Sequence, residues 1–307
     1  MLNTRWLSAG ICTRRHFVLI VAMAATVFPR VEANAADADP APLKVLTWNI
    51  QMLPTFPSVA ALNKGQAMRA PWIIDYLNAS DYSIVCLQEV IDPKMTALLK
   101  EGLKKTFPYV VSADAKGGFS GTSGGILFAS RIPIKYVDHI VYKNVKGVDA
   151  LAEKGCVLVS GEHDGVPFQI AGTHLQAGFN EVKDKQIPEI AGILQKHKQE
   201  GTPQFLVGDM NIDTADKDRY ALLLKTTETG DFPLDDPSPY TVDSENSWKE
   251  GKRKKGGGRI DHVLLNPRGT KSTITRQTVQ RARREHEGKT IDLADHYGVV
   301  AEVTLEK

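Results

Sequence analysis

Short runs of apolar residues recur along the chain from residue 43 onward, and most have the length and composition of β-strands. Turn-forming residues separate them, as in Glu162-His163-Asp164-Gly165, which joins two runs in the manner of a hairpin. The pattern predicts strands over 43–49, 83–88, 124–130, 134–142, 155–161, 166–173, 203–208, 260–265 and 297–305.

Between some of these runs, apolar residues three and four positions apart predict helices over 59–78, 93–105, 182–199 and 216–226. The irregular strand spacing and the hairpin-like connections favour a mixed or antiparallel α/β sandwich over a doubly wound parallel sheet. After a loose Ala/Asp/Pro linker at 36–42, we find no second linker and no repeat, so residues 43–307 are predicted to form a single domain.

The first 35 residues have the pattern of an export signal. Arg14-Arg15 precedes an apolar run from Phe17 to Phe28, and Ala33-Asn34-Ala35 provides a small-residue cleavage site. The paired arginines resemble the twin-arginine type of signal. A retained N-terminal anchor is the alternative, although the apolar run is short for a bilayer span. We therefore expect a periplasmic or secreted protein whose mature chain begins at residue 36.

Removing this segment changes the charge of the protein. The whole chain has 38 basic and 36 acidic residues, and the segment holds four arginines and one glutamate, which leaves a formal charge of −1. A global positive field for binding nucleic acid is therefore absent. Cys86 and Cys156 lie in apolar runs and are predicted to be buried thiols, although an exported protein could also form a disulfide.

Polar side chains stand at the ends of several predicted strands. Taken singly they are weak signals, because an Asn after a strand is usually a turn residue and a lone Glu or His is usually solvated or a satisfied core residue. In antiparallel neighbours, however, the end of one strand lies beside the start of the next, so all of these groups can converge on one edge. The set comprises Asn49, Glu89, His174, Asp209, Asn211, Asp261, Asp295 and His296.

The residue types in this set indicate a hard metal ion. The sequence has no HExxH motif, no Cys/His quartet for zinc and no GxxxxGK[ST] loop for nucleotide phosphates. A few oxygen ligands without a closed cage suit Mg²⁺, which keeps several waters and completes its shell with substrate phosphate oxygens.

Six motifs give the chain a family resemblance. LKVLTWNIQMLP, VCLQEV, GTHLQAG, VGDMNID, RIDHVLL and ADHYGVV occur in the order found in the endonuclease/exonuclease/phosphatase superfamily, which the chain resembles over about residues 43 to 305. The resemblance implies a deoxyribonuclease-like α/β (α+β) fold, a four-layer sandwich of two mainly antiparallel sheets flanked by helices. It also implies a metal-dependent phosphoesterase.

Within the superfamily the chain looks most like the bacterial secreted neutral sphingomyelinases. The similarity lies in NIQMLP, in SGGILFASRIPI followed by VDALAEKG, and in GTHLQAG with GDMN. It implies hydrolysis of sphingomyelin to ceramide and phosphocholine, by a monomer acting on phospholipid at a membrane surface. A related phosphoesterase acting on DNA, a phosphoinositide or another phosphodiester is the alternative. A non-catalytic binding module is the third, and it would have no need of a metal with an Asp-His pair.

The resemblance further implies roles for the site residues. Asn49, Glu89 and Asp295 would hold Mg²⁺, with Mn²⁺ or Co²⁺ as substitutes and Glu89 as the principal ligand.

The remaining residues would carry the catalytic steps. His296, oriented by Asp261, is the favoured general base, with Asp209 orienting the attacking water or sharing that duty. His174 and Asn211 would donate hydrogen bonds to the non-bridging phosphoryl oxygens.

Two basic stretches depart from the sphingomyelinase pattern. Those enzymes carry an aromatic-rich hairpin shortly before the final Asp-His, whereas TRQTVQRARREHEGKTIDLADH contains no aromatic residue. The loop WKEGKRKKGGGR, from Trp248 to Arg259, has six basic residues against one acidic. Both stretches could be charged loops in contact with solvent, or they could bind anionic lipid or nucleic acid. Leu53, Phe56 and Phe179 are candidate apolar residues at the rim of the site.

Overall fold

Two β-sheets packed face to face, with helices over their outer faces, make up the computed structural model of the protein, which describes residues 42–54, 65–112, 124–249 and 256–307. The helices are α1 (Gln66–Ala79), α2 (Pro93–Leu103), α3 (Asn180–Lys196) and α4 (Lys217–Thr227), with a short 3₁₀ helix at Gly147–Leu151. The strands are β1 (Leu43–Met52), β2 (Ile84–Val90), β3 (Tyr109–Val111), β4 (Leu127–Ser130), β5 (Ile134–Val141), β6 (Gly155–His163), β7 (Val166–His174), β8 (Gln204–Asp209), β9 (Val242–Asp243), β10 (Gly257–Gly258), β11 (Asp261–Asn266), β12 (Thr273–Gln280), β13 (Arg283–His286), β14 (Lys289–Asp292) and β15 (Gly298–Thr304).

The strand order is β12-β15-β1-β2-β4-β3 in the larger sheet and β11-β8-β7-β6-β5 in the smaller one. Neighbouring strands run antiparallel except for β1 beside β2 and β7 beside β8. Two short ribbons, β9 with β10 and β13 with β14, lie outside these sheets. The mainly antiparallel arrangement predicted from the hairpin-like connections is confirmed.

Three apolar layers hold the sandwich together. Because strand side chains alternate between faces, Val45 enters the layer between the two sheets, whereas Leu46 enters the layer beneath α1 and α2. In the smaller sheet, Phe205 joins the layer between the sheets and Leu206 packs beneath α3 and α4. These layers confirm the predicted order of helix, sheet, sheet and helix.

The predicted elements are present, with some corrections at their ends. Strand β1 does not end at Asn49 but continues to Met52, with a register shift after Asn49 and Gln51 at φ 49°. The strand predicted to begin at Gly124 begins at Leu127, because Gly124 and Gly125 have positive φ angles. Helix α1 is described from Gln66, so the predicted residues 59–64 lie outside the described part.

Cys86 and Cys156 are buried free thiols, as predicted. They belong to different apolar layers, on opposite faces of the smaller sheet, and burial raises the pKa of both. Within the described ranges, no helix has both the length and the hydropathy needed to cross a membrane. The predicted export signal at 1–35 and residues 36–41 of the linker lie outside those ranges.

Candidate active site

Three adjacent strands of the smaller sheet place three site residues in one row. His174 on β7 pairs with Asp209 on β8, and Asp209 pairs with Asp261 on β11. Gly208, which precedes Asp209, has φ 143°, and a Cβ there would lie 1.9 Å from the carbonyl oxygen of Thr173. Only glycine permits this close approach of β8 to β7. The glycine of the GDMN motif therefore allows the strand pairing that aligns the three site residues.

The larger sheet contributes Asn49 and Glu89. Glu89 adopts φ 59°, and its backbone N–H donates to the carbonyl of Gly124 at 3.1 Å. The next amide, that of Val90, donates to Gly125, where an added Cβ would lie 2.5 Å from the Val90 nitrogen. The Gly124-Gly125 turn therefore fits closely around a glutamate whose backbone conformation is uncommon for a non-glycine residue.

A chain of side-chain hydrogen bonds joins the two sheets. Asn49 Nδ2 donates to Asp209 Oδ2 at 3.0 Å, and Asn49 Oδ1 accepts from the backbone N–H of Gln51 at 3.1 Å. Gln51 Nε2 in turn donates to Asp295 Oδ2 at 3.0 Å. Asn49 on β1 thus connects the Asp209 carboxylate of one sheet to the Asp295 segment beside the other.

The segment containing Asp295 and His296 is anchored by its neighbours. Trp48 Nε1 donates to the carbonyl oxygen of His296 at 2.9 Å. The backbone N–H of Tyr297 donates to the carbonyl of Thr241 at 2.7 Å. These bonds fix the approach to β15 and bring both residues to the edge where β1 and β8 meet.

His296 is oriented by a carboxylate. Its Nδ1 lies 3.0 Å from Asp261 Oδ2 and 3.8 Å from Asp209 Oδ2, so Nδ1–H donates to Asp261 and Nε2 stays available as a proton acceptor. Burial opposes a charged imidazole, but the charges of Asp261 and Asp209 prevail and raise the pKa of His296 to about 9. A general base must be neutral at its working pH. Further positive charge nearby would lower the pKa of His296 and so suit the ring to that role.

His174 lies against a buried lysine. Lys154 Nζ is 2.8 Å from His174 Nε2 and 2.9 Å from Asp149 Oδ2. Burial, reinforced by the charge of Lys154, holds the pKa of His174 well below its usual value. Because an ammonium group only donates, Nε2 is the acceptor here. The same nitrogen lies 3.4 Å from Asp209 Oδ2. Donation by this imidazole to phosphoryl oxygens stays a prediction.

Asn211 occupies a left-handed backbone position just after β8, at φ 49°. Its N–H donates to Asp209 Oδ1 at 2.9 Å, and its Nδ2 donates to the carbonyl of Leu175 at 3.0 Å. One amide hydrogen of Nδ2 remains for another acceptor at this edge.

The oxygen donors of the site fit a divalent cation. Burial and then the charge of Asp295 raise the pKa of Glu89 to about 6, which indicates acidic groups close together with too little positive charge between them. Lys249 Nζ lies 3.1 Å from Asp295 Oδ2 and supplies part of that charge. Gln51 Oε1 is buried without a hydrogen-bond partner among the described residues. Two carboxylates and amide oxygens are the donors that Mg²⁺ prefers.

A second group of possible ligands lies deeper. Asp209, Asp261 and His296 can bring one ligand atom each within 4.8 Å of one another. The side chains of Asp209 and Asp261 are only 2% and 0% exposed, and His296 Nδ1 already contacts Asp261, whereas Glu89 is 20% exposed. This difference in access favours Glu89 over Asp209 and Asp261 as the ligand of a cation, and it leaves the two deeper carboxylates for proton handling.

Two buried cations escaped the sequence analysis. Lys154 belongs to VDALAEKG, which appeared there only as part of a family likeness. Arg69 on α1 is fully buried and donates to the carbonyls of Ile50, Gln51 and Leu293 at 2.8 to 2.9 Å. Burial lowers its pKa to about 10, and its bonds tie the end of β1 to the segment between β14 and Asp295. A basic residue within an amphipathic pattern gave no signal of burial.

The arginines of the polar stretch before Asp295 are engaged within the protein. That stretch does form a hairpin, β13 with β14. Arg281 pairs with Asp236, Arg283 with Asp292 and Arg284 with Asp75.

The second basic stretch begins at the site itself. Lys249 contacts Asp295, Arg259 pairs with Asp231, and residues 250–255 lie outside the described ranges. Of the candidate rim residues, Phe179 is exposed, Leu53 is half-buried and Phe56 lies outside those ranges.

Sequence comparison identifies the family and relatives of the chain. Residues 46–290 match the profile of the Endonuclease/Exonuclease/phosphatase family. A sphingomyelinase C from Leptospira interrogans is 26% identical over 214 residues, which cover 59% of this chain and 36% of that protein. The chain thus spans about a third of the length of that relative.

Solved structures show the same fold. Sphingomyelinase C from Streptomyces griseocarneus has a TM-score of 0.70 and 25% identity, covering 85% of this chain and 99% of that one. A variant of beta toxin from Staphylococcus aureus, solved with bound magnesium ions, has a TM-score of 0.73 and 21% identity, covering 85% of this chain and 99% of the other.

Proposed function

The chain belongs to the endonuclease/exonuclease/phosphatase family, and from that premise we propose that it is an exported, Mg²⁺-dependent phosphodiesterase that hydrolyses sphingomyelin to ceramide and phosphocholine. The observation that carries the proposal is the shared edge at which the oxygen donors of Glu89 and Asp295 meet an imidazole, His296, held by a carboxylate. Two sphingomyelinases among the similar proteins support the choice of substrate. Export rests on the signal pattern of residues 1–35.

Glu89, Asp295 and Asn49 are the residues that would hold the ion. When bound, Mg²⁺ neutralises charge that develops on the phosphoryl group during in-line displacement and assists the leaving alkoxide.

The chain's own groups move the proton and bind the phosphoryl oxygens. His296 takes a proton from the attacking water at Nε2, while Asp261 holds Nδ1 and stabilises the resulting imidazolium. Asp209, which lies between Asn49 and His296, orients the water. Lys154 and Asn211, together with His174, stabilise the non-bridging oxygens. Water oxygen bonds to phosphorus, the bond to the ceramide oxygen breaks, and that oxygen takes up a proton.

A phosphodiester other than sphingomyelin is the second candidate substrate. Lys249 places the beginning of the basic Trp248–Arg259 loop against Asp295, so a polyanion such as DNA, or a phosphoinositide, would meet positive charge at the site. The catalytic residues keep the same roles in either case.

The decisive experiment incubates the mature chain, residues 36–307, with sphingomyelin in mixed micelles and with plasmid DNA, each with Mg²⁺ and with EDTA. We expect Mg²⁺-dependent release of phosphocholine and intact plasmid. Micelles remove the need for membrane docking, so the assay reports the chemistry alone. Nicked plasmid with untouched lipid would move the substrate to nucleic acid, and activity that persists in EDTA would refute the metal dependence.

A further inference from the structure

Three large apolar side chains are exposed together beside the active site. Val148 and Leu151 belong to the 3₁₀ helix Gly147–Leu151 and are 57% and 71% exposed. Residues three apart eclipse one another in a 3₁₀ helix, so both stand on the same face. Phe179 is 50% exposed, and its ring lies 3.6 Å from the position of a Cβ on Gly147. We call Val148, Leu151 and Phe179 the apolar patch.

The opposite side of this helix is fixed to the catalytic groups. Asp149 is buried, and its Oδ2 accepts from Gln176 Nε2 at 2.7 Å and from the backbone N–H of Ala177 at 2.6 Å. The same oxygen lies 2.9 Å from Lys154 Nζ, which contacts His174. The apolar patch is therefore held at a fixed position, two side-chain contacts away from the imidazole at the phosphoryl side of the site.

An ion pair borders the apolar patch. Lys146 Nζ lies 5.5 Å above the ring of Phe179 and pairs with Glu181 Oε1 at 2.7 Å, and the two charged side chains are 54% and 59% exposed. Apolar side chains at the centre with a pair of opposite charges at the margin match the boundary of a bilayer of zwitterionic phospholipid, where acyl chains accept the apolar groups and each head group carries both a phosphate and an ammonium. Scattered apolar residues are ordinary on a surface, whereas a cluster next to a catalytic centre marks an interaction site.

The hairpin β13–β14 does not offer this chemistry. The two strands present no exposed large apolar side chain, and the two arginines of β13, Arg283 and Arg284, pair with aspartates of the same chain. A lipid whose scissile phosphate lies at the membrane surface can reach the site only if the rim of the site touches that surface. The apolar patch is the part of the described rim suited to that contact.

We infer that the apolar patch docks the enzyme onto a phospholipid bilayer, with Val148, Leu151 and Phe179 entering the boundary between head groups and acyl chains. The inference rests on the proposed function, since it assumes a lipid substrate. Docking at this position would bring the scissile phosphodiester of a neighbouring lipid to His174 and Lys154.

The test measures vesicle binding separately from catalysis. Binding to vesicles of sphingomyelin and phosphatidylcholine is measured by sedimentation in EDTA, where turnover does not interfere. The variant Val148→Ser/Leu151→Ser/Phe179→Ser should bind at least tenfold more weakly than the unaltered chain. It should also hydrolyse vesicle sphingomyelin at least tenfold more slowly, while cleaving monomeric short-chain sphingomyelin within twofold of the unaltered rate.

Two further variants give the result its meaning. Leu222→Ser on α4 replaces another exposed leucine, 41% exposed, and should bind and cleave vesicles as the unaltered chain does. Leu151→Trp should retain binding and show a blue-shifted emission on adding vesicles. Equal vesicle binding by the triple variant and the unaltered chain, or no spectral shift for Leu151→Trp, would overturn the inference.

The two proposals fail in different ways. If the unaltered chain cleaves no sphingomyelin, monomeric or micellar, the proposed function fails, and the binding assay in EDTA still decides whether the apolar patch contacts bilayers. If monomeric sphingomyelin is cleaved but the triple variant acts on vesicles as well as the unaltered chain, only the docking inference fails.

Discussion

Lys154 Nζ lies 2.8 Å from His174 Nε2 in a fully buried contact. The lysine also donates to the carbonyl of Leu175 at 3.0 Å and pairs with Asp149, so all three ammonium hydrogens have acceptors. A cation is thereby held beside a neutral imidazole, at the edge where phosphoryl oxygens are expected. Its charge is available there without cost of reorganisation during the reaction.

Replacing this lysine should reduce catalysis more than stability. In Lys154→Met we expect kcat on monomeric short-chain sphingomyelin to fall about 100-fold, because a preorganised positive charge is lost. The pKa of His174 should rise as the neighbouring charge disappears, which an NMR titration of the ring would show. Lys146→Met, at an exposed nearby lysine, is the control and should leave this rate unchanged. A kcat within twofold of the unaltered enzyme would contradict the role of Lys154.

Asn49 should matter through its bond to Asp209 as well as through the ion. In Asn49→Ala, the buried Asp209 Oδ2 loses its amide donor, so we expect kcat/KM to fall about 10- to 100-fold. Asn78→Ala provides a matched control, because Asn78 Nδ2 donates to the carbonyl of Gly102 far from the site. Steady-state assays of both variants on micellar sphingomyelin would check this. Equal losses in the two variants would point to a general loss of folded protein instead.

Glu89 and His296 should separate metal binding from proton transfer. Glu89→Gln keeps the shape but removes a ligand charge, so the Mg²⁺ concentration for half-maximal activity should rise about tenfold or more. His296→Ala should lower kcat by about two to four orders of magnitude and leave Mg²⁺ affinity, measured by calorimetry, roughly unchanged. Turnover by His296→Ala near the unaltered rate would show that another group is the base.

Arg69 should contribute to stability. Arg69→Met leaves the carbonyl oxygens of Ile50, Gln51 and Leu293 without this donor in a buried region. We expect the free energy of unfolding to drop by about 3 kcal/mol or more, measured by urea denaturation. The control Arg284→Met removes a half-exposed pair with Asp75 and should cost less than about 1 kcal/mol. A drop no larger than that of the control would refute the role of Arg69.

Protonation of His262 should lower the free energy of unfolding in mild acid. Burial, with the charge of Arg259, lowers its pKa to about 4, and Nε2–H donates to the carbonyl of Ile212 at 3.0 Å. As pH falls from about 6.5 to 4, the unfolded chain gains this proton before the folded one, so the free energy of unfolding declines, by up to about 3 kcal/mol. His262→Gln should show a smaller decline between pH 7 and pH 4.5 in urea titrations.

The half-buried histidine His286 supplies the comparison for that titration. His286→Gln should keep the decline of the unaltered protein over the same pH range. A decline of equal size in His262→Gln would show that other groups cause the loss of stability in acid.

The sandwich was predictable because its central strands are continuous apolar runs of strand length. Strands such as β2 and β7 are buried along nearly their whole length, and no other element accommodates such short runs as well. β12, with the sequence TITRQTVQ, was missed because it is an edge strand with polar residues on its solvent face. The charged ribbon of β13 and β14 was missed for the same reason.

The site was predictable only where strand ends carry it. Asp209 and Asp261 are brought together by direct pairing of their strands, a relationship that follows from the sheet. Arg69 differs, because one of its acceptors, Leu293, is 224 residues away in the chain. Whether a lysine or arginine is buried depends on acceptors supplied by such distant segments. The spacing of residues in the sequence does not reveal these acceptors.

The bond from Asn49 to Asp209 also bears on how the protein reaches its working form. Each sheet can satisfy its own backbone hydrogen bonds, but the site draws on both and exists only after they close over the layer between them. When the chain refolds after dilution from denaturant, backbone signals should therefore recover first. Enzymatic activity should return later, when one sheet docks on the other, so its recovery measures the rate of that last step.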